Sequence, residues 1–170
     1  MQRPGTDATQ VLDGKVVAIT GGARGIGQAT ARRLAAMGAR LAIGDLDAEA
    51  ASSTATSLGE SHLGMGLDVT DRDSFEEFIS RTERELGPVD ILVNNAGVMF
   101  ISRLDEQDED AIDTTLAVNL QGVITGTRLA VQRMRPRGRG LIVNIASQAG
   151  KAGLVGGSVY AATKFGVVGL

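Results

Sequence analysis

The sequence predicts a doubly wound α/β fold: a parallel sheet in the strand order 3-2-1-4-5, sandwiched between helical layers. Three observations carry that prediction. Short apolar runs alternate five times with helix-length segments, the order from which right-handed βαβ crossovers are built. The runs are continuous rather than alternating, Val16-Val17-Ala18-Ile19 being the plainest, which suits strands covered on both faces. The first run opens into Thr20-Gly21-Gly22-Ala23-Arg24-Gly25-Ile26-Gly27 and then a helical pattern. Strand, glycine turn and helix in that order form the setting of a dinucleotide-phosphate site.

Met1 to Leu12 is rich in Gly, Thr, Asp and Gln and reads as a loose tail, leaving 13–170 as one domain. Lys15 to Thr20 is the first strand. Its helix places Ile26, Thr30, Leu34 and Met37 on one face and stops at Gly38. Arg40 to Asp45 is the second strand, Ala48 to Leu58 a helix closed by Gly59, and His62 to Asp68 a glycine-diluted third strand. Asp71 caps the next helix, whose Phe75, Phe78, Ile79, Thr82 and Leu86 keep helical spacing until Gly87-Pro88. Val89 to Asn94 is the fourth strand, and Phe100 to Asp108 is a loop. A long helix spans Glu109 to Met134, with Ile112, Leu116, Leu120, Val123 and Ala130 as its apolar stripe. Leu141 to Ile145 is the fifth strand. A glycine-rich loop, Gly150 to Gly157, leads into a helix from Ser158.

The 170 residues amount to about one domain. Hydrophobic residues make up 43% and charged residues 22%, a globular rather than a disordered composition. A net charge of −3 argues against a general nucleic-acid binder. With no cysteine, disulfides, thiolate nucleophiles and cysteine metal sites are excluded, which fits a reducing cytoplasm. Met1 to Gln10 lacks the apolar core of a signal peptide, and no run reaches membrane-spanning length.

The chemistry gathers at a few positions. Gly21, Gly25 and Gly27 let the backbone turn and approach a ligand closely, and the helix start after them favours an anion. The spacing is G-x-x-x-G-x-G. Asp45 ends the second strand about 20 residues on, where a carboxylate can accept bonds from ribose hydroxyls. Tyr160 and Lys164 stand one helical turn apart on one face.

Taken together, Thr20-Gly21-x-x-x-Gly25-x-Gly27, Asp45, Asp68-Val69, Asn94-Asn95-Ala96-Gly97, Asn119, Ser147 and Tyr160-x-x-x-Lys164 resemble the short-chain dehydrogenase/reductase family over Lys15 to Leu170. The resemblance implies an NAD(P)-dependent oxidoreductase that interconverts a secondary alcohol and a ketone of small-molecule size. Tyr160 would be the acid/base. Lys164 would favour loss of the tyrosine proton and hold the nicotinamide ribose. Ser147 would bind the substrate oxygen, and Asn119 a water of a proton relay. The cofactor would meet Gly21, Arg24, Gly25, Ile26, Gly27, Asp45, Asp68, Val69, Asn95, Ala96 and Gly97, besides Tyr160 and Lys164. Asp45 favours NAD, since it repels a 2′-phosphate, whereas Arg24 pulls toward NADP. The resemblance further implies a homodimer or homotetramer formed through the long helix and the active-site helix. No metal site is expected.

Family members continue with at least one more strand, a Pro-Gly turn and a substrate lid, so a longer parent protein is expected. The apolar ending Phe165-Gly166-Val167-Val168-Gly169-Leu170 and an exposed fifth strand agree with that. Two other readings stand beside the first. Arg133, Arg135, Arg137 and Arg139 are expected to be solvated at a helix end; alternatively they dock an acidic carrier bearing a 3-oxoacyl chain. A dinucleotide-binding module without catalysis is the other. His62, the single histidine, reads as structural or exposed. The acidic run Asp105 to Asp110 suits a helix start better than a metal.

Overall fold

The computed structural model describes residues 11–170; Met1 to Gln10 of the expected tail lie outside the described residues. Strands β1 (Val16–Thr20), β2 (Arg40–Asp45), β3 (Leu63–Gly66), β4 (Ile91–Asn94) and β5 (Leu141–Asn144) form one parallel sheet in the order 3-2-1-4-5. The intervening helices are α1 (Gly25–Ala36), α2 (Ala48–Leu58), α3 (Arg72–Leu86), α4 (Glu109–Leu116), α5 (Gly122–Met134) and α6 (Ser158–Gly169).

The unbroken apolar strands follow from two apolar faces. Val17 and Ile19 join Leu41 and Ile43 in a cluster with Ala31 of α1 and Ala51 and Ala55 of α2. Val16, Ala18 and Ala42 point the other way, into a cluster with Phe75, Phe78 and Ile79 of α3 and Leu129 and Ala130 of α5. The period of two is present, but both phases are filled with hydrocarbon. Phe75 and Phe78 meet edge to face with ring centroids 6.3 Å apart, and burying each contributes about 1.5–3 kcal/mol.

Asp47 caps α2 by accepting from the Ala50 N–H, and Asp71 caps α3 by accepting from Asp73. Asp108 does the same for α4 through the Asp110 and Ala111 amides, so part of the acidic run serves as a helix start. Asp105 and Glu106 pair with Arg103. Leu12 belongs to the packed structure, donating to the Met37 carbonyl and resting against the core. β3 is shorter than the sequence predicts at both ends. At one end the His62 Nδ1 accepts the Leu41 N–H, and at the other Asp68 turns back onto Thr70. His62 therefore has a structural role. β4 is shorter at its start, because the Asp90 carboxylate takes the Val16 N–H.

The long helix departs from its expected face. Between α4 and α5 the chain makes one π turn, Ala117–Gln121, in which the Gly122 N–H reaches back five residues to the Ala117 carbonyl. Val123 and Ala130 are buried as expected, but Leu116 is exposed. The buried positions around the turn are instead Thr115, Asn119, Gly122 and Gly126. The extra residue shifts the helix phase. The helix also lies too close for side chains, since a Cβ on Gly126 would stand 2.5 Å from Phe75 Cζ. Ile26 likewise leaves its predicted apolar face and is 72% exposed.

The arginine cluster is not a uniformly solvated patch. The Arg137 guanidinium donates to the carbonyls of Val89 and Arg133 and lies 3.9 Å from Asp90. Arg133 pairs with Glu76 and Glu83. Only Arg135 and Arg139 of the four are exposed. Among the described residues, no helix is long and apolar enough to cross a membrane.

Candidate active site

Strand order reverses between β1 and β4, so the loops leaving their carboxyl ends diverge and open a crevice. A cleft of ≈ 400 Å³ occupies that place. It is lined by Gly21, Arg24, Ile26 and Gly27 from the glycine turn, Asp45 and Leu46 after β2, Leu67 to Val69 after β3, and Asn95 to Val98 after β4. Val118 of the π turn closes it. The exposure of Ile26 is thus exposure to this cleft.

The glycine turn is built for close approach. Gly21 and Gly25 have φ of +62° and +55°, a left-handed backbone that favours glycine. A Cβ on Gly27 would fall 2.1 Å from the Gly21 carbonyl oxygen, so the helix starts directly against the turn. Asn95 fixes the turn from the other side, its Nδ2 donating to the carbonyls of Thr20 and Gly21. Thr20 Oγ1 accepts the amides of Asn95 and Ala96. The first helical bond of α1 is made by Gln28 to Arg24. Among the described residues, no side chain caps the amides before it, and no acid lies in the first turn. Uncapped donors at the positive end of a helix, facing a cleft, suit a phosphate. The fit to a dinucleotide is therefore good at this end.

Asp45, the last residue of β2, lines the cleft beside the turn. Its Oδ2 accepts from the Ala23 N–H at 3.1 Å and its Oδ1 from the Asp47 N–H at 3.3 Å. Arg24, which pulls toward NADP in the sequence reading, pairs with Asp47. Asp68 Oδ1 is occupied by the amide and hydroxyl of Thr70, while the residue still lines the cleft.

A second group of expected residues meets beyond Gly97. Asn119 is fully buried. Its Oδ1 accepts from the Val98 N–H at 2.8 Å and its Nδ2 donates to the Val98 carbonyl at 2.7 Å. Lys164 is buried, 4% exposed. Its Nζ donates to the Ile145 carbonyl at 2.7 Å and stands 5.7 Å from the centre of the Tyr160 ring. Burial pushes its ammonium below the ordinary lysine range. A Cβ on Gly97 would come within 3.2 Å of Asn119 Oδ1 and 3.8 Å of Lys164 Nζ, which places these residues around one glycine. Ser147 follows two residues after Ile145, and its Oγ accepts from the Ala149 N–H. Among the described residues, no hydrogen bond joins Ser147 to Tyr160.

Gly25, Tyr160 and Lys164 were expected at the cofactor but are not among the residues that line the cleft. The Gly25 backbone turns beside it, and Tyr160 and Lys164 lie past Gly97. Leu46, Leu67, Val98 and Val118 line it without having been singled out. Each is adjacent in sequence to an expected site residue, and that adjacency was the available signal.

The sequence profile described as short chain dehydrogenase matches residues 15–170. The chain is 43% identical over 162 residues to D-threitol dehydrogenase of Mycolicibacterium smegmatis, covering 94% of this chain and 62% of that protein. It is 40% identical over 160 residues to sorbitol dehydrogenase of Cereibacter sphaeroides, covering 94% and 62%. It is 39% identical over 165 residues to 3beta-hydroxysteroid dehydrogenase 2 of Eggerthella lenta, covering 94% and 64%. The chain thus spans somewhat under two thirds of the length of these relatives. The strand order, the glycine turn and these matches agree: the chain belongs to the short-chain dehydrogenase family.

Proposed function

We propose that the protein is an NAD-dependent dehydrogenase that interconverts a secondary alcohol and its ketone, with Tyr160 as the acid/base. One observation carries the reading furthest. A buried lysine stands beside the single tyrosine, next to Gly97, which lines a cleft together with a helix N-terminus and a carboxylate. The dinucleotide's phosphates would lie against the α1 amides and its adenosine ribose against Asp45. Nicotinamide supplies the group that accepts or gives the hydride.

The residues then have distinct tasks. Tyr160 passes a proton to or from the substrate oxygen. The Lys164 charge offsets the negative charge that develops on the phenol as its proton leaves. After its bond to Ile145, Lys164 keeps two donors for ribose hydroxyls. Ser147 Oγ accepts from Ala149 and retains its own O–H to donate to the substrate oxygen. The amide oxygen and nitrogen of Asn119 each make one bond to Val98, so a relay water would use the remaining lone pair of Oδ1 or the second Nδ2–H. Carrier-bound 3-oxoacyl reduction has weaker support, because Arg133 and Arg137 are held within the protein.

The test is Tyr160→Phe in the complete protein. NADH binding is expected to change less than about twofold, while turnover of secondary alcohols falls by at least about 10². Near-parental turnover removes Tyr160 from the mechanism. Absence of NADH binding in the unaltered protein removes the reading altogether.

A further inference from the structure

We propose that Asp47 is a specificity-determining residue: by pairing with Arg24 it denies that guanidinium to a 2′-phosphate, so that Asp45 and Asp47 together select an adenosine ribose without one. This rests on the dinucleotide reading above. Arg24 lines the cleft beside Asp45. Its side chain is 71% exposed, and a free arginine there would turn toward any phosphate presented at the ribose end. It is not free. Asp47 Oδ2 accepts from Arg24 Nη2. Oδ1 of the same carboxylate is pinned by the Ala50 N–H at 2.9 Å as the cap of α2.

The carboxylate is therefore anchored independently of Arg24, so Asp47 needs little further ordering to hold it. The Ala50 amide foremost, and Arg24 after it, keep the Asp47 carboxyl below the usual carboxylate range, so it is charged at neutral pH. Asp45 is oriented by two backbone amides and does not turn away. The ribose end thus offers two carboxylates and one guanidinium that is already engaged. An exposed ion pair of this kind adds little to fold stability. Its effect lies in where it holds the only guanidinium that, among the described residues, lines the cleft.

The test is Asp47→Ser in the complete protein, read by fluorescence titration of NADH and NADPH without any turnover. Serine keeps the helix cap but is too short to hold the arginine. NADPH affinity is expected to rise about fivefold, the upper scale of one exposed ion pair that no longer has to break, while NADH affinity stays within about twofold. In the double variant Arg24→Gln, Asp47→Ser, the gain should vanish. Unchanged NADPH affinity in Asp47→Ser, with NADH still bound, overturns this proposal and leaves the dehydrogenase reading intact. A gain that persists without Arg24 also overturns it, since removal of negative charge would then suffice. Binding of neither nucleotide by the unaltered protein overturns both.

Discussion

Replacing Asn119 by aspartate changes one amide nitrogen into an oxygen, and the structure makes the consequence calculable. The native side chain is fully buried. It donates to the Val98 carbonyl at 2.7 Å and accepts the Val98 N–H at 2.8 Å. An ionised aspartate keeps the second bond but sets its other oxygen against a carbonyl oxygen. A protonated aspartate restores both, with O–H in place of N–H. The folded variant therefore holds its proton far more tightly than the unfolded chain. The Lys164 ammonium, also beside Gly97, offsets part of what burial does, so the net rise is about three units above the ordinary ~3.9, the lower end for a fully buried carboxyl. At about 1.4 kcal/mol per unit, the variant loses ~4 kcal/mol once ionised, a large part of a typical stability of about 5–15 kcal/mol.

A pKa raised on folding stabilises below the unfolded value and ceases to do so as pH climbs through the folded one. The variant should thus approach the parent near about pH 4 and diverge steadily until about pH 7. Urea unfolding of both proteins between about pH 4.5 and 8.5, compared midpoint by midpoint at a common m, measures this. Equal midpoints at the alkaline end refute the reasoning. So does a deficit that fails to shrink on acidification, because either result means the two bonds to Val98 do not set the side chain's orientation.

Gly27→Ala should lower stability by about 1–3 kcal/mol and weaken nucleotide binding, because its Cβ would press on the Gly21 carbonyl and the Asn95 amide. An unshifted melting midpoint contradicts that packing. Burial pushes the His62 imidazole below its usual value of 6.5, with the Leu58 backbone opposing in part. As pH falls through 6.5 the unfolded chain gains the proton first, so stability drops there and levels off below the folded value. His62→Asn keeps an acceptor where Nδ1 meets the Leu41 amide and should abolish that step in a pH series of unfolding midpoints.

Much of this was legible because it is local or periodic. The β2 and α2 boundaries follow from their flanking residues, and the α3 stripe from its spacing, so strands and helices could be placed in order. The motif residues sit on these elements at fixed intervals, which is why Gly21, Gly27, Asp45 and Asn95 to Gly97 fall together around one cleft. What escaped was pairing at a distance. Arg24 meets a carboxylate 23 positions away, and Arg133 and Arg137 find partners 57 and 48 positions back. A solvated arginine and a tethered one look alike in sequence. The faces of Ile26 and Leu116 escaped for another reason. Helical spacing assumes that apolar means inward, whereas Ile26 faces a crevice and Leu116 precedes a widened turn.

That widened turn constrains any engineering of the long helix. Each helical residue advances the azimuth by roughly 100°, and the surplus residue lets two segments obey different masters. Within it Asn119 must face Val98; downstream, Gly126 and Leu129 must face the sheet and α3. Deleting one residue to make the helix regular would swing one of these segments off its target. An ideal helix is here the wrong blueprint, and a designer grafting this scaffold should transplant the irregularity whole.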